Sequence, residues 1–220
     1  HVNRYAIEGH WDENPCAITA AATRRIEKST RATVATYRKG CMDPREYSQA
    51  ELSTNSGSDY YRYGLGSLTK VLVQPASLHR GLADNLPLSV HLVENIVVQS
   101  VSKSSPFHIQ TSRGDFVADR VFITNNLHAR ELGIVRNRMI GILTYGAFTP
   151  ELDCNELARL GEQAKWGILP AHRMGTTMRK TNRRLLIRSG DSYEQELAPE
   201  KARAMLTALY RNRYPDMQNH

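Results

Sequence analysis

Apolar residues recur along this chain at two spacings, one typical of strands and one typical of helices. Alternating or short apolar runs predict strands at residues 5–11, 71–75, 89–101, 107–111, 116–118, 120–124, 139–145, 166–169, 175–178 and 185–188. Apolar residues three or four positions apart predict helices at residues 19–38, 48–52, 75–86, 153–160 and 199–210. Strands and helices mostly do not alternate one for one, so the predicted fold class is α+β.

Particular residues mark the predicted helix ends. Thr19 is predicted to cap the first helix, and Gly40 stands where a glycine commonly follows a helix. Pro75 suits a first helical turn because its missing N–H would be unpaired there anyway. Asp153 and Glu156 have the spacing of a capping box. These signals predict helix starts near residues 19, 75 and 153.

Three short segments carry predictions about the sheets. The apolar run Val121-Phe122-Ile123 is consistent with a strand buried on both faces, as in a parallel sheet. The tetrad at residues 112–115 contains a glycine and an aspartate and predicts a tight turn. A basic cluster at residues 179–184 lies between two predicted strands, which favours a solvated hairpin turn.

The charge balance raises one alternative function. The net charge is +7, with 29 Lys and Arg against 22 Asp and Glu, and such an excess can mark a nucleic-acid partner. The basic residues are scattered apart from the cluster at 179–184, and the aromatic residues, 7% of the chain, do not interleave with it. Nucleic-acid binding by a non-enzymatic protein therefore stays as an alternative, and the solvated turn is favoured.

Several classes of protein find no support in the sequence. No apolar run approaches the roughly 18 residues that span a bilayer. Cys16, Cys41 and Cys154 are far apart without a CxxC spacing, so no metal site or disulfide framework is expected and a reducing, cytoplasmic setting fits. No nucleophile elbow, HExxH or Walker loop occurs. The chain begins at His1 with polar residues, which suggests a fragment.

Several short motifs follow one another along the chain. They are DYYRYGL at 59–65, VLVQPASL at 71–78, RGL at 80–82, LVENIVV at 92–98, VFITNN at 121–126, TY at 144–145, WGILP at 166–170, MGTTMRKT at 174–181 and RLLI at 184–187. Their order and spacing carry more information than any one of them. Together, from about residue 60 to residue 215, they resemble the central part of the D-amino-acid oxidase family, in particular its glycine-oxidase-like and gamma-glutamylputrescine-oxidase-like members.

The resemblance implies an FAD-dependent oxidoreductase that oxidises an amine or amino acid. Residues 74–130 would form part of an α/β FAD-binding domain, without the family's N-terminal GxGxxG unit and its C-terminal segment. Residues 1–73 and 131–220 would form the substrate-binding domain, a mostly antiparallel or mixed sheet with flanking helices. The 220-residue chain by itself is expected to be inactive.

The resemblance also implies cofactor contacts. Val98 matches a residue whose backbone N–H and C=O pair with the adenine edge, a role that does not depend on the side chain. Thr124, Asn125 and Asn126 match the strand end that approaches the cofactor, and open α/β sheets bind ligands at such ends.

For the substrate, the resemblance points to Tyr145, Met174 and Thr176 on the sheet above the flavin. Arg173 or Arg179 is a candidate for pairing with a substrate carboxylate. No catalytic residue is assigned, because hydride transfer from the substrate Cα to the flavin needs positioning more than an acid–base pair. An inactive remnant of the oxidase fold remains a further alternative.

Overall fold

The computed structural model describes residues 2–9, 16–66 and 71–217. Within these ranges the strands are β1 (Cys16–Ala21), β2 (Glu46–Ser48), β3 (Tyr63–Gly66), β4 (Val98–Val101), β5 (Phe107–Thr111), β6 (Gly114–Ala118), β7 (Ile142–Phe148), β8 (Trp166–Pro170), β9 (Thr177–Lys180) and β10 (Leu185–Tyr193). The α-helices are α1 (Arg24–Lys39), α2 (Gln49–Ser56), α3 (Pro75–Asp84), α4 (Cys154–Arg159) and α5 (Pro199–Arg211), and a 3-10 helix spans Asn126–Arg130.

The described strands form two separate sheets. The larger has seven strands in the order β2-β3-β1-β8-β9-β10-β7, and the smaller has three in the order β4-β5-β6. In the larger sheet β1 and β8 run parallel, while every other neighbouring pair is antiparallel. The smaller sheet is antiparallel throughout. The predicted α+β class is confirmed.

One face of the seven-stranded sheet is covered by helices and holds the main core. Strand residues Ile18, Trp166, Ile168, Met178 and Leu185 are almost fully buried there. They pack with Leu52 of α2, with Leu206 and Tyr210 of α5, and with Leu160 next to α4. Burial of such large apolar side chains is the main stabilising contribution to a domain of this size.

The opposite face is covered only in part. Helix α1 packs its Val34 on Tyr63 and Leu65 of β3. Across β7 to β10, side chains that alternate with the core residues point away from α5, and several are exposed. We call this surface the open face. It consists of Thr144, Gly146, Phe148, Leu169, Thr177, Arg179, Leu186 and Arg188.

Two predictions near the N-terminus are wrong. Residues 5–9 form turn and irregular structure rather than a strand, and residues 10–11 lie outside the described residues. The helix predicted from residue 19 begins at Arg24, because residues 16–21 pair with both β3 and β8 as a central strand. Thr23 therefore caps α1, and its hydroxyl accepts the Ile26 N–H at 3.3 Å.

Three predicted strands in the middle of the chain are also shorter or absent. Residue 72 forms only an isolated bridge, and residues 89–97 form no strand, so the alternation from 89 to 101 yields only β4. Residues 120–124 form no strand, and Phe122 is 85% exposed. A strand buried on both faces needs neighbouring strands and covering helices, and the described residues supply neither to this run.

Local helix signals were more reliable. Pro75 opens α3, and the side chain of Gln74 accepts the Ser77 N–H at 2.9 Å. Asp153 and Glu156 form the predicted capping box of α4. The short helix predicted at 48–52 extends to Ser56 and has its own capping box, formed by Ser48 and Glu51. Within the part of the chain described, no helix is long and apolar enough to cross a membrane.

Candidate functional site

The residues predicted to contact the cofactor lie at accessible places. Val98 is on β4, an edge strand, so part of its backbone faces away from β5. Thr124, Asn125 and Asn126 are exposed where the chain enters the 3-10 helix, and Asn126 has φ 52°. An exposed edge and a left-handed turn both leave backbone groups open to a ligand. The assignment of these four residues to the cofactor stays a prediction.

The predicted substrate residues do not form one cluster. Met174 and Thr176 line the same cavity, at the ends of β8 and β1. Tyr145 lines a different groove, between β7 and α5. The Tyr145 hydroxyl is bonded to the Ser192 hydroxyl at 2.7 Å and accepts the Leu197 N–H at 2.7 Å. Its polar atom is therefore already engaged in holding β7, β10 and the approach to α5 together.

Two arginines are diagonal neighbours on the open face, since Arg179 pairs with Leu186 and Arg188 pairs with Thr177. Arg179 and Arg188 are on the neighbouring strands β9 and β10, with side chains on the same side of the sheet. The guanidinium of Arg188 is 3.5 Å from both the Thr144 and Thr177 hydroxyls. No carboxylate in the described residues lies within ion-pair distance of either arginine. Such a pair of cations is suited to a carboxylate ligand.

The open face adjoins the segment that leads into α3. Arg179 donates from Nη1 to the Val73 carbonyl at 2.8 Å. Gly167 is on the same side of the sheet, and the Leu72 side chain packs against it. A Cβ atom at Gly167 would be only 2.9 Å from a Leu72 methyl carbon. Residues 72–74 therefore bring the start of the predicted cofactor portion to the same side of the sheet as Arg179.

A second contact joins the predicted cofactor portion, at Arg130, to the larger sheet. Arg130 binds both carboxylate oxygens of Glu194 at 2.8 Å, and Glu194 also accepts the Gly141 N–H at 2.7 Å. The backbone N–H of Gly141, and then Arg130, hold the pKa of Glu194 below its usual range. The end of the 3-10 helix, at Arg130, is thus bonded to Glu194, the residue that follows β10.

The basic cluster does not form a continuous cationic surface. Lys180 is buried, and its ammonium donates to the carbonyls of Leu157 and Gly161 at 3.2 and 3.0 Å, which caps the end of α4. Burial lowers the pKa of Lys180. Arg183 and Arg184 both lie 3.7 Å from Glu151. The predicted hairpin is confirmed, but Lys180 is part of the core and not of a solvated turn.

Arg188 and Arg213 are the residues of functional interest that sequence reasoning missed. Ile187 and Arg188 are neighbours on β10, so their side chains lie on opposite faces of the sheet. Because Ile187 is buried, the alternation within 185–188 predicts that Arg188 is exposed. Nothing in the sequence signals the burial of Arg213, which follows α5. No group of His, Cys, Asp or Glu in the described ranges could hold a metal ion.

Solved structures of several enzymes match this fold over nearly the whole chain. Glycine oxidase from Geobacillus kaustophilus matches with a TM-score of 0.71 and 17% identity, over 98% of this chain and 58% of that chain. L-proline dehydrogenase from P. horikoshii matches with a TM-score of 0.73 and 10% identity, over 99% and 60%. NikD, an amino acid oxidase essential for nikkomycin biosynthesis, matches with a TM-score of 0.60 and 12% identity, over 97% and 60%. No protein-family model and no curated protein matches the chain.

The fold is therefore that of a part of the amino-acid oxidoreductases named above. The resemblance inferred from the sequence motifs is confirmed at the level of the fold. The chain spans about 60% of the length of these structures. At 10 to 17% identity the match establishes the architecture, and activity is a separate question.

Proposed function

We propose that this chain forms part of an FAD-dependent oxidoreductase that oxidises an amine or an amino acid at its C–N bond. The observation that supports this most strongly is the match of 98 to 99% of the chain to two enzymes named as acting on glycine and L-proline. The order of the sequence motifs supports the same class of enzyme.

In this proposal the cofactor lies along β4 and the 124–126 turn. Val98 would offer edge-strand backbone groups to the adenine, and Thr124, Asn125 and Asn126 would offer exposed polar groups nearby. The division into a cofactor portion at 74–130 and a substrate portion at 1–73 and 131–220 stays a prediction, and the separation of the two sheets is consistent with it.

We place the substrate on the open face. Arg188 would bind a substrate carboxylate, assisted by the Thr144 and Thr177 hydroxyls beside it. Arg179, fixed by its bond to the Val73 carbonyl, would add positive charge at the side nearest the cofactor portion. Phe148 and Leu169 are 56% and 44% exposed and would exclude water from the reacting carbon. Tyr145, Met174 and Thr176 lie on the helix-covered side of the same sheet. Their assignment to the substrate stays a prediction from the sequence and is not part of this placement.

The flavin, when bound, supplies the acceptor for a hydride from the substrate Cα. The contribution of this chain is to orient the carboxylate and hold the amine-bearing carbon against the open face.

The three cysteines are free, and we propose a cytoplasmic setting on that basis.

The test begins with the protein expressed from its complete gene. We expect it to purify yellow, and we expect anaerobic addition of an amino acid or amine from a panel to bleach the flavin absorbance. A protein that takes up no FAD would contradict the proposal. A protein that binds FAD but is bleached by no compound in the panel would instead favour the inactive remnant.

The placement of the substrate has its own test. We expect Arg188→Met to weaken binding of a carboxylate-bearing substrate by about tenfold to a hundredfold, because a charge-assisted pair is lost. The corresponding amine without a carboxylate should bind equally well to both proteins. Arg183→Met, on an exposed residue of the neighbouring hairpin, is the matched control. Equal effects of the two substitutions would rule out the open face.

A further inference from the structure

A cavity of about 420 Å³ lies on the other side of the larger sheet from the open face. It is located where the parallel strands β1 and β8 both end, between the first turn of α1 and the C-terminal end of α5. Thr176 and Ser189 form its floor and belong to the helix-covered face, with their hydroxyls 2.9 Å apart. The cavity is therefore distinct from the substrate surface proposed above.

A buried guanidinium lines this cavity. Arg213 is only 5% exposed. Its Nε donates to the Tyr61 hydroxyl at 3.2 Å and its Nη1 to the Leu209 carbonyl at 2.7 Å, while its carbon Cζ lies 4.1 Å from the centre of the Tyr60 ring. These contacts hold the guanidinium in place but provide no negative charge. Burial of a charge without an opposite charge is unfavourable, so an anion beside Arg213 would be stabilised.

A second arginine also lines the cavity. It is Arg25, and none of the described lining residues is an aspartate or a glutamate. The N-terminal turn of the 16-residue helix α1, including Thr23 and Ile26, borders the cavity as well. A helix N-terminus carries a partial positive charge, which adds to the field of the arginines.

The walls are otherwise largely apolar. Ala20, Ile26, Pro170, Met174 and Leu209 provide hydrocarbon surface. A volume of about 420 Å³ is of the size that small-molecule sites in proteins occupy. We propose that this cavity binds a small monocarboxylate with an apolar body, with the carboxylate against Arg213 and the body against these walls. A phosphate would gain from the arginine but not from the apolar walls.

The proposal is tested by binding of hexanoate to the chain, measured by calorimetry and by the shift in the melting temperature. We expect saturable binding of hexanoate, and much weaker binding of its neutral counterpart hexanamide and of inorganic phosphate. Equal binding of hexanoate and hexanamide would mean an apolar cavity without anion recognition. Binding of phosphate in preference to hexanoate would overturn the choice of a carboxylate.

Variants then locate the site. We expect Arg213→Met to weaken hexanoate binding by about tenfold to a hundredfold. Arg203→Met, on an exposed arginine of α5, should leave binding unchanged. If Arg213→Met fails to fold, Ala22→Leu provides the second test, because Ala22 also lines the cavity and a larger side chain there reduces its volume while Arg213 is kept. Hexanoate binding that survives both Arg213→Met and Ala22→Leu, or that is lost in Arg188→Met instead, overturns the proposal.

Discussion

At the scale of single residues, two tyrosines near the end of the chain differ in one hydrogen bond. Tyr210 and Tyr214 are both buried, and their rings lie 5.7 Å apart. The Tyr214 hydroxyl donates to the Ser56 carbonyl at 3.0 Å. The Tyr210 hydroxyl is buried and has no partner among the described residues. Burial, with a smaller effect from Glu156, raises the pKa of Tyr210 to about 12.

This difference predicts opposite effects of the same substitution. Tyr214→Phe should lower the free energy of unfolding by about 1 kcal/mol, because the Ser56 carbonyl loses its donor. Tyr210→Phe should leave that free energy unchanged or raise it by up to about 1 kcal/mol, because an unpaired buried hydroxyl is removed. Urea unfolding of the two variants measures both values. Equal losses would show that the Tyr210 hydroxyl has a partner after all.

At the scale of elements, the C-terminal ends of α2 and α4 abut. Gly161 follows α4 with φ +80°, and a Cβ there would overlap the carbonyl of Asn55 near the end of α2. The Glu162 N–H donates to the Thr54 carbonyl at 3.0 Å, and Lys180 donates to the Gly161 carbonyl. Gly133 has a similar φ of +76°, but no atom lies near its missing side chain. Both glycines have a left-handed backbone, but only Gly161 also lacks room for a side chain. Substitution of the two residues therefore distinguishes the cost of the backbone conformation from the cost of a steric overlap.

We expect Gly133→Ala to cost about 1 kcal/mol of unfolding free energy, which is the penalty of a left-handed alanine alone. Gly161→Ala should cost about 3 kcal/mol or more, because the two helix ends must also move apart. Thermal or urea unfolding measures the difference. Similar losses in the two variants would mean that the contact between α2 and α4 relaxes without cost.

Local signals predicted some of these elements and failed for others. The capping box at Asp153 and the proline at residue 75 depend only on neighbours in sequence, and both were confirmed. The helix predicted from residue 19 includes the last three residues of β1, because small residues fit either structure and only the pairing with β3 and β8 makes this segment a strand. The buried Arg213 and the cavity around it depend on contacts between distant parts of the chain, which no local pattern encodes.

At the scale of the whole molecule, the two sheets differ in how well they are covered. Residues of β8 are mostly buried, whereas those of β4 and β6 are mostly exposed. Leu92, Val93, Val117 and Phe122 add exposed apolar surface in and around the smaller sheet. The free energy needed to open a segment locally rises with the number of its buried contacts. Amide hydrogens in β5, the central strand of the smaller sheet, should therefore exchange with solvent at least about tenfold faster than those in β8.

Addition of FAD to the protein expressed from its complete gene converts this difference into a test of where the cofactor binds. If the cofactor lies along β4 and the 124–126 turn, exchange should slow there and in the neighbouring 3-10 helix, because ligand binding raises the cost of opening the residues that it contacts. Exchange in α2, whose Leu52 packs in the main core on the helix-covered face of the larger sheet, should change little. Slowing at α2 with no change at β4 would instead place the ligand against that face. It would also remove the basis for assigning Val98, Thr124, Asn125 and Asn126 to the cofactor.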